Sequence, residues 1–438
     1  MSQDDPVTID PVTESPAVEP KNLSVSDVTL TTLVRFLIGR SDAIWSIALC
    51  KHGWILGCLF VFSAGLAREY DRSDLLAEPI HLALPFNASI VTSFMLYLFV
   101  RAFAWSKAVS KPPTYLEFLQ VYWMTAPLAW LYAIPVEYWF NAADAVSANF
   151  WLLGIVAIWR VALMIKVLET LFGTPLKVGT ALVFAFGDFV LILALTFSPI
   201  PVLDIMSGNR LSPAERVVQE VSLYATGLAW ISIPVWLIGL KLATDSAKWA
   251  PVVRPAQSPP RLRLDVISTA IAVLVIGAGL CGIEQPKWRN ATAIHRSVAQ
   301  DDFESAIKRL SLLTQDNFPR HWELPPNPNY RFSAAEPRRI IRFYLASLQS
   351  TEAPAWVREG LQDKVIRGFT SHFQGDEMFH AVDDEELKSI VIDLETAQQN
   401  GRRFPMSFHG VPYVDEKQDP ARAALADRLR KMYQYREE

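Results

Sequence analysis

About seven stretches of mostly apolar residues, each near the 20 residues that a helix needs to cross the hydrocarbon core of a bilayer, lie between Ile44 and Ile283. They cover residues 44–67, 82–103, 115–134, 149–172, 178–198, 221–240 and 264–283. This clustering is why the chain is 51% hydrophobic with a positive mean hydropathy of +0.19, although residues 285–438 have the charge density of an ordinary water-exposed chain. The pattern predicts an all-α protein: a polytopic helical membrane bundle of about seven spans followed by an all-α soluble C-terminal domain. Its expected parts are an acidic disordered tail over 1–28, a transmembrane domain over 29–284 and a helical extramembrane domain over 285–438. Lys51 and His52 interrupt the first span, which makes it the weakest of the seven. Before it, TTLVRFLIGR has the amphipathic pattern of a short interfacial helix.

Lysine and arginine give the orientation. One set of loops and flanks carries Lys21, Arg35, Arg40, Lys51, Arg101, Lys107, Lys111, Lys241, Lys248, Arg254, Arg261 and Arg263, whereas the alternate loops carry Arg68, Arg72, Arg210 and Arg216. Twelve against four predicts a cytoplasmic N-terminus in a cell (inner) membrane. With an odd number of spans the C-terminal domain is then extracytoplasmic. The tail holds six acids and one lysine before any apolar run, unlike the basic start of a signal peptide.

Two charges fall in mid-span, Arg160 in the fourth and Asp188 in the fifth. Each lies 14 residues from Thr174 at the connecting turn, so an antiparallel hairpin brings them to one depth and predicts an ion pair. A lone charge at that depth costs at least about 2.5 kcal/mol, which favours a partner. The pair reads either as a device fixing the hairpin's register or as part of an ion, proton or anion pathway. Lys166 and Glu169, three apart on one helix face, form a second expected pair. Pro85, Pro127, Pro135, Pro199 and Pro234 lie in or at the ends of spans, and Gly53, Gly57 and Gly277 read as close helix contacts.

LAWLYAIPVEYW (residues 128–139) is echoed by LAWISIPVW (228–236), and WILG (54–57) by WLLG (151–154). A three-span period would give an inverted repeat of the kind found in transporters, although such short aromatic matches also recur by chance.

Beyond residue 291 the apolar periodicity predicts successive helices carrying Phe303 to Leu313, Ile341 to Leu348, Val357 to Phe369 and Leu387 to Leu394, with a last helix from Pro420. Ser333 with Glu336, and Asp383 with Glu386, have capping-box spacing. From Gln285 on, 22 Lys and Arg stand against 23 Asp and Glu, so no basic surface points to nucleic acid. Cys50, Cys58 and Cys281 all lie in or beside spans, which argues against a disulfide framework or a cysteine metal site. His372, Asp376, Glu377 and His380 are the nearest thing to a metal cluster, but Gly375 breaks the spacing and they read as a loop. The chain has no GxSxG, phosphate-loop or Rossmann glycine pattern, so no catalytic, cofactor or metal residues are assigned.

SAGLAREYD (63–71), RFLIGRSDAI (35–44) and FPRHWELPPNP (318–328) resemble segments of uncharacterised, planctomycete-type bacterial multi-pass membrane proteins. In span count and aromatic richness the five spans over 82–240 resemble the Yip1-like membrane domain, a resemblance that implies a role in membrane organisation. Neither resemblance implies site residues. The expected function is that of a non-enzymatic integral membrane protein. Its partners are the lipid bilayer and a protein bound through the C-terminal domain. A small-solute or ion transporter with a site near Arg160 and Asp188 is the alternative.

Overall fold

The computed structural model describes residues 25–434 except 70–73, 76, 78, 105–111, 198–212, 247–248, 250–251, 253, 256–257, 326–334, 370–377, 381, 401–413, 415–416 and 418. Most of the expected acidic tail, the Ser333 cap and three of the four residues of the 372–380 cluster lie outside the described residues. Among the described residues there is no β-strand, and the one extended pairing is an isolated parallel bridge between Val28 and Leu262.

Among the described residues, nine α-helices precede residue 300: α1 Leu30–Leu37, α2 Ser41–Ala48, α3 Gly53–Glu69, α4 Ile80–Ala104, α5 Tyr115–Trp123, α6 Ala142–Phe172, α7 Leu176–Phe197, α8 Pro213–Ser246 and α9 Leu264–Ala299. Among the described residues, five helical segments are long and apolar enough to cross a membrane: Ile80–Phe103, Ala142–Phe172, Leu176–Ala194, Arg216–Asp245 and Leu264–Ala299. The other two expected spans are not single helices. The first is broken at residues 49–52 by a bend of 104° between α2 and α3. The third ends as α-helix at Trp123 and continues as the 3-10 segments Ala126–Ala133 and Val136–Tyr138. Pro127 and Pro135 account for this second break, since each withdraws a backbone donor and resists helical continuation.

The two echoed stretches therefore take different forms. LAWLYAIPVEYW is 3-10 helix and turn, whereas LAWISIPVW runs inside the 34-residue α8, which carries Pro234 without breaking.

Helix ends follow local chemistry. Thr29 and Thr32 close a capping box on α1, Thr114 and Glu117 one on α5, and Asn141 caps α6. Gly173 ends α6 at φ +64°, a left-handed conformation that costs glycine little, and its N–H returns to Glu169 O. Close packing explains Gly57: a Cβ there would lie 2.9 Å from the ring of Trp123, so α3 and α5 approach nearer than any side chain allows.

The bundle has a buried seam and an apolar exterior. Phe36, Ile44, Leu56, Phe118, Leu168 and Phe172 are fully buried in one cluster. Trp151, Ile158, Tyr224 and Ile231 are more than 70% exposed, on the outer faces of α6 and α8. An apolar exterior on helices this long is compatible with membrane insertion. On α1, Leu33 and Phe36 are buried while Leu30, Val34 and the capping Ile38 are exposed, so both faces of the short helix carry apolar residues.

Beyond Ile283, helix α9 becomes polar and enters a second core. Ala291, Ile294 and Val298 of its last turns pack with helices α10 Phe303–Ser311, α11 Ala335–Gln349, α12 Ala355–Phe369, α13 Asp384–Gln399 and α14 Pro420–Gln434. The anticipated capping box starts α13: Glu386 N–H donates to Asp383 Oδ1 at 2.8 Å, and Asp383 N–H to Glu386 Oε2 at 3.1 Å. Arg422 ties α14 to the start of α13 through Asp384 at 2.7 Å and the carbonyl of Val382 at 2.9 Å.

Candidate functional site

Arg160 and Asp188 do not form the expected ion pair. The Arg160 guanidinium lies over the ring of Tyr122, 5.6 Å from its centroid, on the side of α6 that faces α5. Asp188 turns toward α8, where Ser232 Oγ donates to its Oδ2 at 2.5 Å. Equal depth in a hairpin fixes position along the helix axes but not rotation about them, and here rotation sends the two charges to different neighbours. Lys166 Nζ does meet Glu169 Oε2, at 3.0 Å, with both side chains more than one-third exposed.

A group of interacting polar side chains lies at one end of the bundle, against the C-terminal helices. Pro135 initiates the short 3-10 turn Val136–Tyr138, which delivers Tyr138 to α9. There the Tyr138 hydroxyl donates to Glu284 Oε1 at 2.6 Å. Lys287, one turn further along α9, donates to both Glu284 oxygens at 3.2 and 3.3 Å. Glu284 is only 8% exposed, and these donors compensate the burial of its charge. The bond to Glu284, aided by burial, pushes the Tyr138 hydroxyl above its ordinary pKa. The Tyr138 ring also takes the Arg320 guanidinium 5.3 Å from its centroid and Lys287 Nζ at 5.9 Å.

Beside this hub is a cavity of about 520 Å³, within the size range of small-molecule sites. Its polar lining includes Arg68 from the end of α3, Arg320 from the C-terminal unit, Glu137 and Tyr138. Asn149 Nδ2 donates to Glu137 Oε1 at 2.7 Å. The cavity's apolar lining includes Phe150 and Leu153 on α6 and Val218 on α8. Trp288 on α9 closes the cavity toward the second core, and its buried indole N–H has no partner among the described residues. Nearby, His321 at 3.3 Å from the Phe140 carbonyl and Leu75 N–H on Gln285 Oε1 at 2.7 Å link the bundle end to the C-terminal helices.

Glu137 and Tyr138 fall in the echoed stretch 128–139, Arg68 in 63–71 and Arg320 in 318–328, but none of these stretches carries a catalytic or binding motif. Glu137 reads as an ordinary interfacial acid, and Arg68 and Arg320 lie 252 positions apart in sequence. The usable signal is coarser: Arg68, Glu137 and Glu284 follow the ends of expected spans one, three and seven, which all terminate on the same side. Among the described residues no group of three or more His, Cys, Asp or Glu side chains is arranged to hold a metal.

No family model, no curated protein and no solved structure matches the chain.

Proposed function

We propose that the chain is a non-enzymatic multi-pass protein of the cell membrane, with a helical C-terminal domain on the extracytoplasmic face that contacts an envelope partner. One relationship carries this reading. Helix α9 is 36 residues long, about 54 Å, and the Val28–Leu262 bridge sits at its start while the second core packs around its end. Its apolar part, residues 264–283, is long enough for one crossing of a hydrocarbon core of about 30 Å. The N-terminal segment and the C-terminal helices then lie on opposite sides, however many of the other segments cross. The lysine and arginine bias assigns the N-terminal side to the cytoplasm.

Seven crossings remain our count. It takes the bent α2–α3 pair and the broken 115–138 segment as crossings in addition to the five long helices. An extramembrane domain with its own core, joined to the bundle by a continuous helix, suits a fixed platform for a partner. The planctomycete-type and Yip1-like resemblances are consistent with such a role and contribute no residue to it. The transport reading loses the paired site on which it stood, because Arg160 and Asp188 have separate partners.

Alkaline carbonate extraction with reporter fusions tests the proposal. The chain should stay in the membrane pellet, with fusions after Trp105 and Pro255 reporting cytoplasm and a fusion after Gly410 reporting the outside. Release by carbonate, or a cytoplasmic report at Gly410, contradicts it.

A further inference from the structure

Helix α1 carries apolar residues on two sides and has one core to bury them in. Leu33 and Phe36 face inward among the buried residues of the bundle. Leu30, Val34 and Ile38, spaced by four, form a stripe along the other side and are 46%, 54% and 67% exposed.

What covers the stripe follows from how the end of the helix is satisfied. The last four carbonyls of a helix lack helical donors, and at an aqueous surface water serves them. In α1 all four find a donor within the chain. Ile38 N–H donates to Val34 O at 3.2 Å, Gly39 N–H to Phe36 O at 2.7 Å and Arg40 N–H to Arg35 O at 3.0 Å. Gly39 allows this turn at φ +77°, the left-handed conformation of a helix stop. The fourth carbonyl, of Leu37, accepts from the Trp159 indole N–H on α6 at 2.8 Å. A helix end closed to this degree meets the requirement of a surrounding without water.

The seat of α1 points to the same surrounding. Trp159 is exposed, as are Ile155 and Ile158 beside it on the outer face of α6, so the bond to Leu37 joins α1 to the apolar exterior of the bundle. Seven residues further along α6, the aliphatic stem of Lys166 lies against Gly39, 3.4 Å from where a Cβ would stand. Tryptophan and lysine are the residues that anchor a crossing helix at the headgroup level. A protein partner is the poorer occupant, because three aliphatic side chains fall well short of the roughly 800 Å² per partner that a stable interface buries.

We propose that α1 is a membrane-surface helix. It lies in the boundary of headgroups and acyl chains on the side of Val28, with Leu30, Val34 and Ile38 in lipid, and anchors the segment that leads into the buried helix α2. The inference rests on the membrane reading above and gives one surface of the chain its partner.

The test uses the full chain in phosphatidylcholine vesicles, with Cys50, Cys58 and Cys281 replaced by serine and a nitrobenzoxadiazole label on one introduced cysteine. Emission from Val34→Cys should be quenched more strongly by lipid spin-labelled near the ester carbonyl than by lipid labelled near the chain end. Ile231→Cys, exposed in the middle of α8, should show the reverse order, and Leu312→Cys in the C-terminal unit should be quenched by neither. If the cysteine-free background does not fold, as judged by circular dichroism, Cys50 is kept, since it is buried and out of reach of the label.

Quenching at Ile231→Cys without quenching at Val34→Cys overturns the proposal and leaves the membrane reading standing; a disulfide-linked dimer of Val34→Cys would then identify a second copy as the occupant. Stronger quenching of Val34→Cys by the chain-end label also overturns it, since the helix would then lie in the acyl core. Quenching at neither position removes the membrane reading, and this inference with it.

Discussion

Arg160 lies over the ring of Tyr122 at 5.6 Å and not beside Asp188, which instead takes a hydrogen bond from Ser232 at 2.5 Å. A charge deep in an apolar bundle needs some partner, and an aromatic face in a desolvated setting supplies about 2 kcal/mol. Double-mutant cycles in detergent should therefore show coupling of about 1–2 kcal/mol between Arg160→Leu and Tyr122→Leu. The Arg160 and Asp188 cycle should stay within about 0.5 kcal/mol of zero. Recovery of stability by exchanging the two charges would mean that they are paired after all.

Trp123 cannot yield to a side chain at Gly57. It is 5% exposed, its indole N–H donates to Ser89 Oγ at 3.0 Å, and its ring lies against Phe86 at 5.6 Å. Gly57→Ala should cost about 1–3 kcal/mol by overpacking, read as a lower thermal midpoint. Gly279→Ala, where a Cβ meets nothing within 4 Å, is the control and should change little. An equal loss at both positions would remove close packing as the cause.

His295 makes the C-terminal core acid-sensitive. Burial, with the charge of Lys364 as a lesser cause, depresses its pKa to about 4, and Trp322 Nε1 donates to its Nε2 at 3.3 Å, which requires an unprotonated nitrogen there. The folded pKa lies below the unfolded value, so the contribution is complete above about pH 6.5. It is lost as pH falls toward 4, by roughly 3 kcal/mol, and the loss levels off below that. Melting curves of the wild type and His295→Phe from pH 7 to 4 should show a steeper loss in the wild type. Parallel curves would contradict the assignment.

The Tyr138 hydroxyl is one of two donors to Glu284, and the other, Lys287, also touches the hydroxyl oxygen at 3.4 Å. Tyr138→Phe keeps the ring and its cations while removing one bond to a buried carboxylate, so a loss of about 1–3 kcal/mol is expected. Proteolysis near residues 319–321, where the C-terminal unit meets the bundle end, should become faster. An unchanged cleavage rate would mean that the hub does not hold the two parts together.

What could be read in the sequence divides along physical lines. Long apolar runs and 3.6-residue periodicity announced the helices, because both depend on neighbouring residues, and the Asp383–Glu386 box did so for the same reason. The two short-lived spans were harder. Hydropathy over residues 44–67 and 115–134 counts apolar side chains and is blind to the backbone breaks that Pro127, Pro135 and the 49–52 turn introduce. Rotation of one helix against another was not legible at all, and the Arg160–Asp188 expectation failed on it. The cavity was hidden for a related reason: Arg68, Glu137, Glu284 and Arg320 are unremarkable singly and acquire meaning only where four separate segments end together.

The opposite placement of Val28 and the C-terminal core at the two ends of α9 is tested most directly by labelling two positions in intact cells. In a background with Cys50, Cys58 and Cys281 replaced by serine, single cysteines are introduced as Ser26→Cys and Leu312→Cys, both at exposed residues. A membrane-impermeant maleimide should label Leu312→Cys in intact cells and Ser26→Cys only after permeabilisation. Labelling of both positions under the same condition would put the two ends of α9 on one side of the membrane and contradict the account.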